Sequence, residues 1–192
     1  MNIQYIIRPS RDTESVFSNV AAVLKNGCRW IRLAASELPN EMLEPLCKEI
    51  KQRCGEYGAV FIIDDNTDLQ TAVKADGVHI TTGKEEIEGV RKTLGEEPLV
   101  GANLTDLESF KHAKAFGIDY ADIGPYEAYT PEKIRALING LYDADITLPV
   151  SVFGKVGKQD LPTLSGLGVR GVTTSDATFF EKDLLSILDK LS

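Results

Sequence analysis
Short apolar runs alternate with amphipathic stretches from one end of the chain to the other. The runs predict strands, and apolar positions spaced three and four apart predict helices. Ile3 to Ile7 is the first strand. A helix from Glu14 to Asn26 carries Val16, Val20, Val23 and Leu24 on one face and stops at Gly27. Cys28 to Leu33 is the second strand. Pro39 suits the first turn of a second helix, where a missing N–H costs nothing, and that helix runs to Tyr57 and Gly58. Ala59 to Ile63 is apolar throughout, as a parallel strand covered on both faces requires. Asp64, Asp65 and Asn66 end it. A short helix, Thr67 to Ala75, then leads to the fourth strand, Gly77 to Ile80, which contains His79.

The alternation continues. A helix from Lys84 to Leu94 precedes the strand Leu99 to Ala102, and Thr105 with Glu108 forms a capping box for a helix ended by Gly117. The strand Tyr120 to Ile123 breaks at Gly124-Pro125, and Thr130-Pro131 reads as N-cap and first residue of a helix through Leu141. Leu148 to Phe153 is the seventh strand. The loop Gly154-Lys155-Val156-Gly157-Lys158 and a helix from Gln159 to Leu167 follow it. Gly171 to Thr174 is the eighth strand, and a helix from Thr178 to Leu191 closes the sequence. Successive βα units with short connections predict an α/β fold, a single minimal (β/α)8 TIM barrel over residues 1–192. An open doubly wound sheet would want a glycine-rich turn after the first strand, where the chain reads Arg8-Pro9-Ser10-Arg11-Asp12.

Composition narrows the class. A hydrophobic fraction of 43% in 192 residues fills one core. The net charge of −8 argues against nucleic acid or an anionic membrane as partner. No run approaches the roughly 18 apolar residues of a spanning helix. Arg8, Arg11 and Asp12 interrupt any signal-peptide core, so the expected location is cytoplasmic. Cys28, Cys47 and Cys54 lack a C-x-x-C spacing and read as reduced thiols. The latter two share a helix stripe with Leu43, Leu46 and Ile50, which favours core packing over metal.

In such barrels the active site lies at the C-terminal ends of the strands. Topology alone therefore nominates Arg8, Arg32, Asp64, Asp65, Asn66, His79, Thr81, Lys84, Asn103, Tyr126, Lys155, Thr174 and Ser175. Phosphate sites in this architecture use the loops after strands seven and eight. Gly154, Lys155, Gly157 and Lys158 offer open backbone and cations there, with Thr174-Ser175 beside them; an ordinary exposed turn has the same composition. Asp64 and Asp65 suggest magnesium, a hard cation that takes carboxylate oxygens together with phosphate. Adjacent residues at a strand end point in different directions, so one of the two enters the site. Asp65 or Asn66 also suits an N-cap. His79 is a ligand, an acid or a satisfied core histidine, with the core role favoured; His112 reads as surface, and Thr130 has a full explanation as a cap.

Gly27 to Leu33, FIIDDNTDL, ADGVHI, VGAN, the GIDYADIGP run and GVRGV together resemble the thiamine-phosphate synthase/TenI family, in the family's order over nearly the whole chain. The resemblance implies a (β/α)8 barrel. It also implies a synthase that joins hydroxymethylpyrimidine diphosphate to a thiazole phosphate with magnesium, releasing pyrophosphate, or a TenI-type isomerase of the thiazole carboxylate phosphate. Residue by residue it gives Asp65 as the magnesium aspartate and Asp64 as its neighbour. Arg32, Ala34 and Ser36 stand where the family has Gln-x-Arg-x-Lys, and Lys84 stands at the second metal aspartate. Asn103 takes the place of a serine after strand five, and Thr105 lies near the TenI histidine. Tyr129-Thr130-Pro131-Glu132 replaces a Thr-x-Thr-Lys phosphate loop with Lys133 one residue on, and Gly154-Lys155 replaces Gly-Gly. Arg32, Lys84 and Lys155 then suggest an anion site rebuilt from new cations. Three functions stay open: the transferase, with Asp65, Arg32 and Lys84 as its reacting-centre residues; a non-catalytic or regulatory barrel that binds a phosphorylated thiazole-like metabolite; and a diverged isomerase or lyase using His79. A homo-oligomer formed through the outer helices fits the resemblance.

Overall fold
The computed structural model describes residues 1–10, 12–34, 38–81, 84–181 and 183–191. Its parallel strands are β1 (Asn2–Ile7), β2 (Trp30–Leu33), β3 (Val60–Asp64), β4 (Gly77–Ile80), β5 (Leu99–Asn103), β6 (Tyr120–Ile123), β7 (Val150–Phe153) and β8 (Gly171–Thr174). They close into a barrel in sequence order, β8 pairing back onto β1 through Asn2↔Gly171 and Gln4↔Thr173. The helices between and after them are α1 (Thr13–Lys25), α2 (Asn40–Glu56), α3 (Thr67–Val73), α4 (Lys84–Leu94), α5 (Leu107–Ala115), α6 (Pro131–Asp143), α7 (Leu161–Gly166) and α8 (Leu184–Asp189). The eightfold alternation read from the hydrophobic pattern is the fold, and the open sheet is excluded.

The core is the layer between strands and helices. Ile31, Leu33, Phe61, Ile63, Val78, Ile80, Ala121 and Ile123 point outward from the barrel wall into it, where they meet Val20, Val23, Leu24, Ile50, Phe110 and Ile134 from the helices. Cys47 and Cys54 sit in this layer with their thiols pushed up to about 12 by burial, which makes them packing residues. At the opposite end from the predicted site, two aspartates tie strand starts together. Asp76 accepts from the Phe61 N–H and pairs with Lys51, and Asp119 accepts from the Val100 N–H and pairs with Arg91.

Element ends differ from the pattern where side chains compete for backbone groups. Pro39 is the N-cap of α2 and not its first residue. The capping box of α5 is Asp106 with Ser109, not Thr105 with Glu108, because the Ser109 hydroxyl reaches back to the Asp106 N–H. The last helix is split into a 3₁₀ turn at Ala177–Phe180 and the short α8, since Asp176 caps the turn through the Thr178 N–H.

Candidate functional site
Alternation along each strand sends every second side chain into the barrel. Interiors of such barrels are usually filled by branched apolar residues. Here they carry Gln4, Arg32, Asp64, His79, Tyr120, Asp122, Ser151 and Thr173, all buried. Arg32 is the hub. It rises from β2 with only 2% exposure and donates Nε and Nη2 to the two oxygens of Asp64 at 3.0 and 3.1 Å. Its Nη1 donates to Asp122 Oδ2 at 2.6 Å, an oxygen that also accepts from the Thr173 hydroxyl at 3.0 Å. One cation thus serves two carboxylates. Burial pushes the Asp64 carboxyl up to about 6, outweighing the opposing pull of Arg32, and burial raises Asp122 as well. Asp122 Oδ1, Gln4 Oε1 and Trp30 Nε1 have no hydrogen-bond partner among the described residues.

His79 stands beside this network, wholly buried. Its Nδ1 lies 3.1 Å from the Tyr120 hydroxyl and its Nε2 2.9 Å from Asn103 Oδ1. Burial, reinforced by the charge of Arg32, holds the imidazole well below its ordinary range, so it stays neutral. Asn103, at the end of β5, is half-buried and faces the mouth of the barrel.

The two adjacent acids diverge, as their positions require. Asp64 turns inward to Arg32. Asp65 has a left-handed backbone, with φ of 50°, and sends its carboxylate sideways to the N–H of Thr81 at 2.7 Å and to the Thr81 hydroxyl. There it borders a cleft of 310 Å³ behind Val78 and Ile80, on the outer face of β4 and away from His79. Asn66, and not Asp65, caps α3 through the Leu69 N–H at 2.9 Å. A magnesium ion would therefore find one exposed carboxylate already engaged by Thr81, and a second committed to a guanidinium. That donor set does not fit a resident ion, which needs carboxylate oxygens free to face it. Among the described residues no group of three or more His, Cys, Asp and Glu could hold a metal.

The rim carries the remaining nominations. Gly154 has φ of 121°, and the next amide, the Lys155 N–H, donates to Glu127 Oε2 at 3.0 Å. The carboxylate of Glu127 comes from the 3₁₀ turn after β6 and lies so close that a Cβ at position 154 would meet it at 2.6 Å. The donor expected for a phosphate thus already holds an internal anion. Thr130 caps α6 through the Lys133 N–H. Thr174 points away from the interior, opposite to Thr173, and accepts from the Asp176 N–H; Ser175 and Arg8 are exposed. Lys84 opens α4, and the role placed on its side chain lies outside the described residues, as does Ser36.

Comparison with known sequences identifies the family. The family model described as thiamine monophosphate synthase, TMP-TENI, matches residues 3–177. The chain belongs to that family. The thiamine-phosphate synthase of Phocaeicola vulgatus is 31% identical over 183 residues, covering 90% of this chain and 88% of that protein. The thiamine-phosphate synthase of Bacteroides thetaiotaomicron is 28% identical over 193 residues, covering 95% and 92%. Among solved structures, the thiamine phosphate pyrophosphorylase of Pyrococcus furiosus superposes with a TM-score of 0.81 at 23% identity, covering 99% of this chain and 96% of that one, a likeness of fold.

Within this TMP-TENI barrel, sequence reading found Arg32, Asp64, His79 and Asn103, which the structure brings to neighbouring strands. It missed Asp122, Tyr120, Thr173 and Glu127. An aspartate at an inward position of the apolar strand Tyr120-Ala121-Asp122-Ile123 was the available signal for the first.

Proposed function
We propose that this chain is a thiamine-phosphate synthase-like protein of thiamine biosynthesis, joining a pyrimidine diphosphate to a thiazole phosphate with release of pyrophosphate. The observation that carries this reading is the family match over residues 3–177, on a closed barrel with Asp64 and Asn103 at the C-terminal ends of β3 and β5. Ionisation of the pyrimidine diphosphate breaks its C–O bond, leaving positive charge on the pyrimidine methylene and negative charge on the diphosphate. With both carboxylates ionised, Arg32, Asp64 and Asp122 sum to one negative charge beneath the mouth. That charge favours the cationic fragment and keeps phosphoryl groups at the rim. Asn103 offers them an amide donor, and the exposed Lys155 after β7 offers a cation. Magnesium, as the family resemblance implies, would arrive with the diphosphate and meet Asp65 at most. Binding and orienting the ligands falls to the chain's own residues. The buried, free thiols of Cys28, Cys47 and Cys54 suit the cytoplasm, and no helix among the described residues is long and apolar enough to cross a membrane.

The engagement of Arg32 favours one second reading, a barrel that binds a phosphorylated thiazole without turning it over. An assay with both substrates and magnesium separates the two. Thiamine phosphate supports the transferase. Tight binding of thiazole phosphate in calorimetry without product supports the binder. His79 gives no support to an isomerase or lyase, since both of its nitrogens are engaged and the ring is neutral.

A further inference from the structure
We infer that Tyr120 and His79 form a positioning relay that fixes the Asn103 carboxamide, so that β5 meets the ligand with an N–H donor aimed at a phosphoryl oxygen. The inference rests on the reading that phosphorylated ligands bind at the barrel mouth.

The direction of each hydrogen bond follows from its partner. The Asn103 oxygen only accepts, so the His79 Nε2 that lies 2.9 Å away carries the ring proton. His79 Nδ1 is then a bare acceptor, and the Tyr120 hydroxyl at 3.1 Å donates to it. Each hydrogen has one place, and the chain runs from the sealed interior to the mouth. The buried end is held firmly. The Tyr120 ring packs edge-on to Trp30 with centroids 5.1 Å apart, and it lies over Gly101, where a Cβ would stand 2.1 Å from the ring. That clash explains why β5 carries a glycine two residues before Asn103. With its oxygen bound to His79, the carboxamide turns its NH2 group the other way, and this nitrogen has no partner among the described residues. A neutral donor held this way selects an acceptor atom. Arg32 lies beneath it, buried and committed to Asp64 and Asp122, so a ligand at the rim meets Asn103 and not Arg32. His79 is then a positioning residue and not an acid or base.

Inorganic pyrophosphate is the probe, titrated calorimetrically into the whole chain. Nitrogen-15 spectra of the His79 ring and the Asn103 side chain supply a readout that a merely structural role would leave unmoved. The wild type should show one neutral His79 tautomer, protonated on Nε2, and an Asn103 NH2 signal that moves when pyrophosphate binds. Asn103→Asp keeps the acceptor for His79 but replaces the donor with an anionic oxygen. It should weaken pyrophosphate binding about tenfold or more, the scale of a hydrogen bond to a charged group. Tyr120→Phe keeps the ring and should release the tautomer to a mixture. His79→Gln, which restores a donor toward Asn103, should bind pyrophosphate more tightly than His79→Leu. Thermal unfolding confirms that each variant folds. Undiminished binding by Asn103→Asp, or a ring proton on Nδ1, overturns the relay while leaving the mouth as the ligand site. A wild type that binds no pyrophosphate overturns both.

Discussion

The guanidinium of Arg32 meets the carboxylate of Asp64 side-on, Nε to Oδ1 at 3.0 Å and Nη2 to Oδ2 at 3.1 Å, with both side chains at most 4% exposed. This forked pairing and the third bond to Asp122 lock the one deep cation of the inward network into the protein's own charge balance. Removing it leaves two buried carboxylates facing each other. Arg32→Met should destabilise the barrel by about 3–5 kcal/mol, the usual result of orphaning a buried charge. Replacing Arg32, Asp64 and Asp122 together by apolar residues should cost less than that single change. Urea midpoints of the two variants test the comparison.

The same network sets opposing pH dependences. The Asp64 carboxyl is raised to about 6 in the folded chain, above the ordinary value near 3.9 of an unfolded one. Its stabilising contribution is therefore present at low pH and lost as pH rises through about 6. The stability of the wild type minus that of Asp64→Asn should grow as pH falls from 7 toward 4. His79 has the reverse sign. Its folded value is depressed, so its contribution is present above about pH 6.5 and lost as pH falls. The wild type minus His79→Gln should shrink over the same descent. Chemical denaturation at each pH gives both differences, and two curves with the same slope would refute the assignment.

Strand and helix order were legible because period and punctuation agree along the whole chain. Gly27, Gly58, Gly95 and Gly117 each follow a helix, and β3 reads as an apolar run. The residues of the site were legible only by position. Arg32 could be placed at a strand end, but its partner Asp122 lies 90 residues away and meets it only after the barrel closes. The direction of Asp65 was hidden for another reason. A single left-handed residue turns its side chain toward Thr81, and nothing in Asp64-Asp65-Asn66 announces which residue takes that conformation. Glu127 was hidden because it reaches the seventh loop from the sixth.

Glu127 competes with any phosphate for the Lys155 N–H. Glu127→Ala should raise affinity for inorganic phosphate roughly two- to tenfold, the scale of one hydrogen-bond acceptor removed from competition. The amide resonance of Lys155 should shift on phosphate addition in the variant more than in the wild type. Equal affinity in both proteins would show that the loop is an ordinary turn.

Gly101 makes room for Tyr120. A Cβ at that position falls 2.1 Å from the ring, which is itself buried. Gly101→Ala should cost about 1–3 kcal/mol, as overpacked cores do. It should also displace the Tyr120 ring, so near-ultraviolet circular dichroism should change while the far-ultraviolet spectrum keeps its barrel shape.

A single-turnover mixture tests the transferase reading most directly. Protein in excess is combined with pyrimidine diphosphate, thiazole phosphate and magnesium, and the products are resolved over time. The expected result is thiamine phosphate and pyrophosphate formed in equal amounts, with Asn103→Asp slower than wild type. Intact substrates after prolonged incubation with folded protein would contradict it.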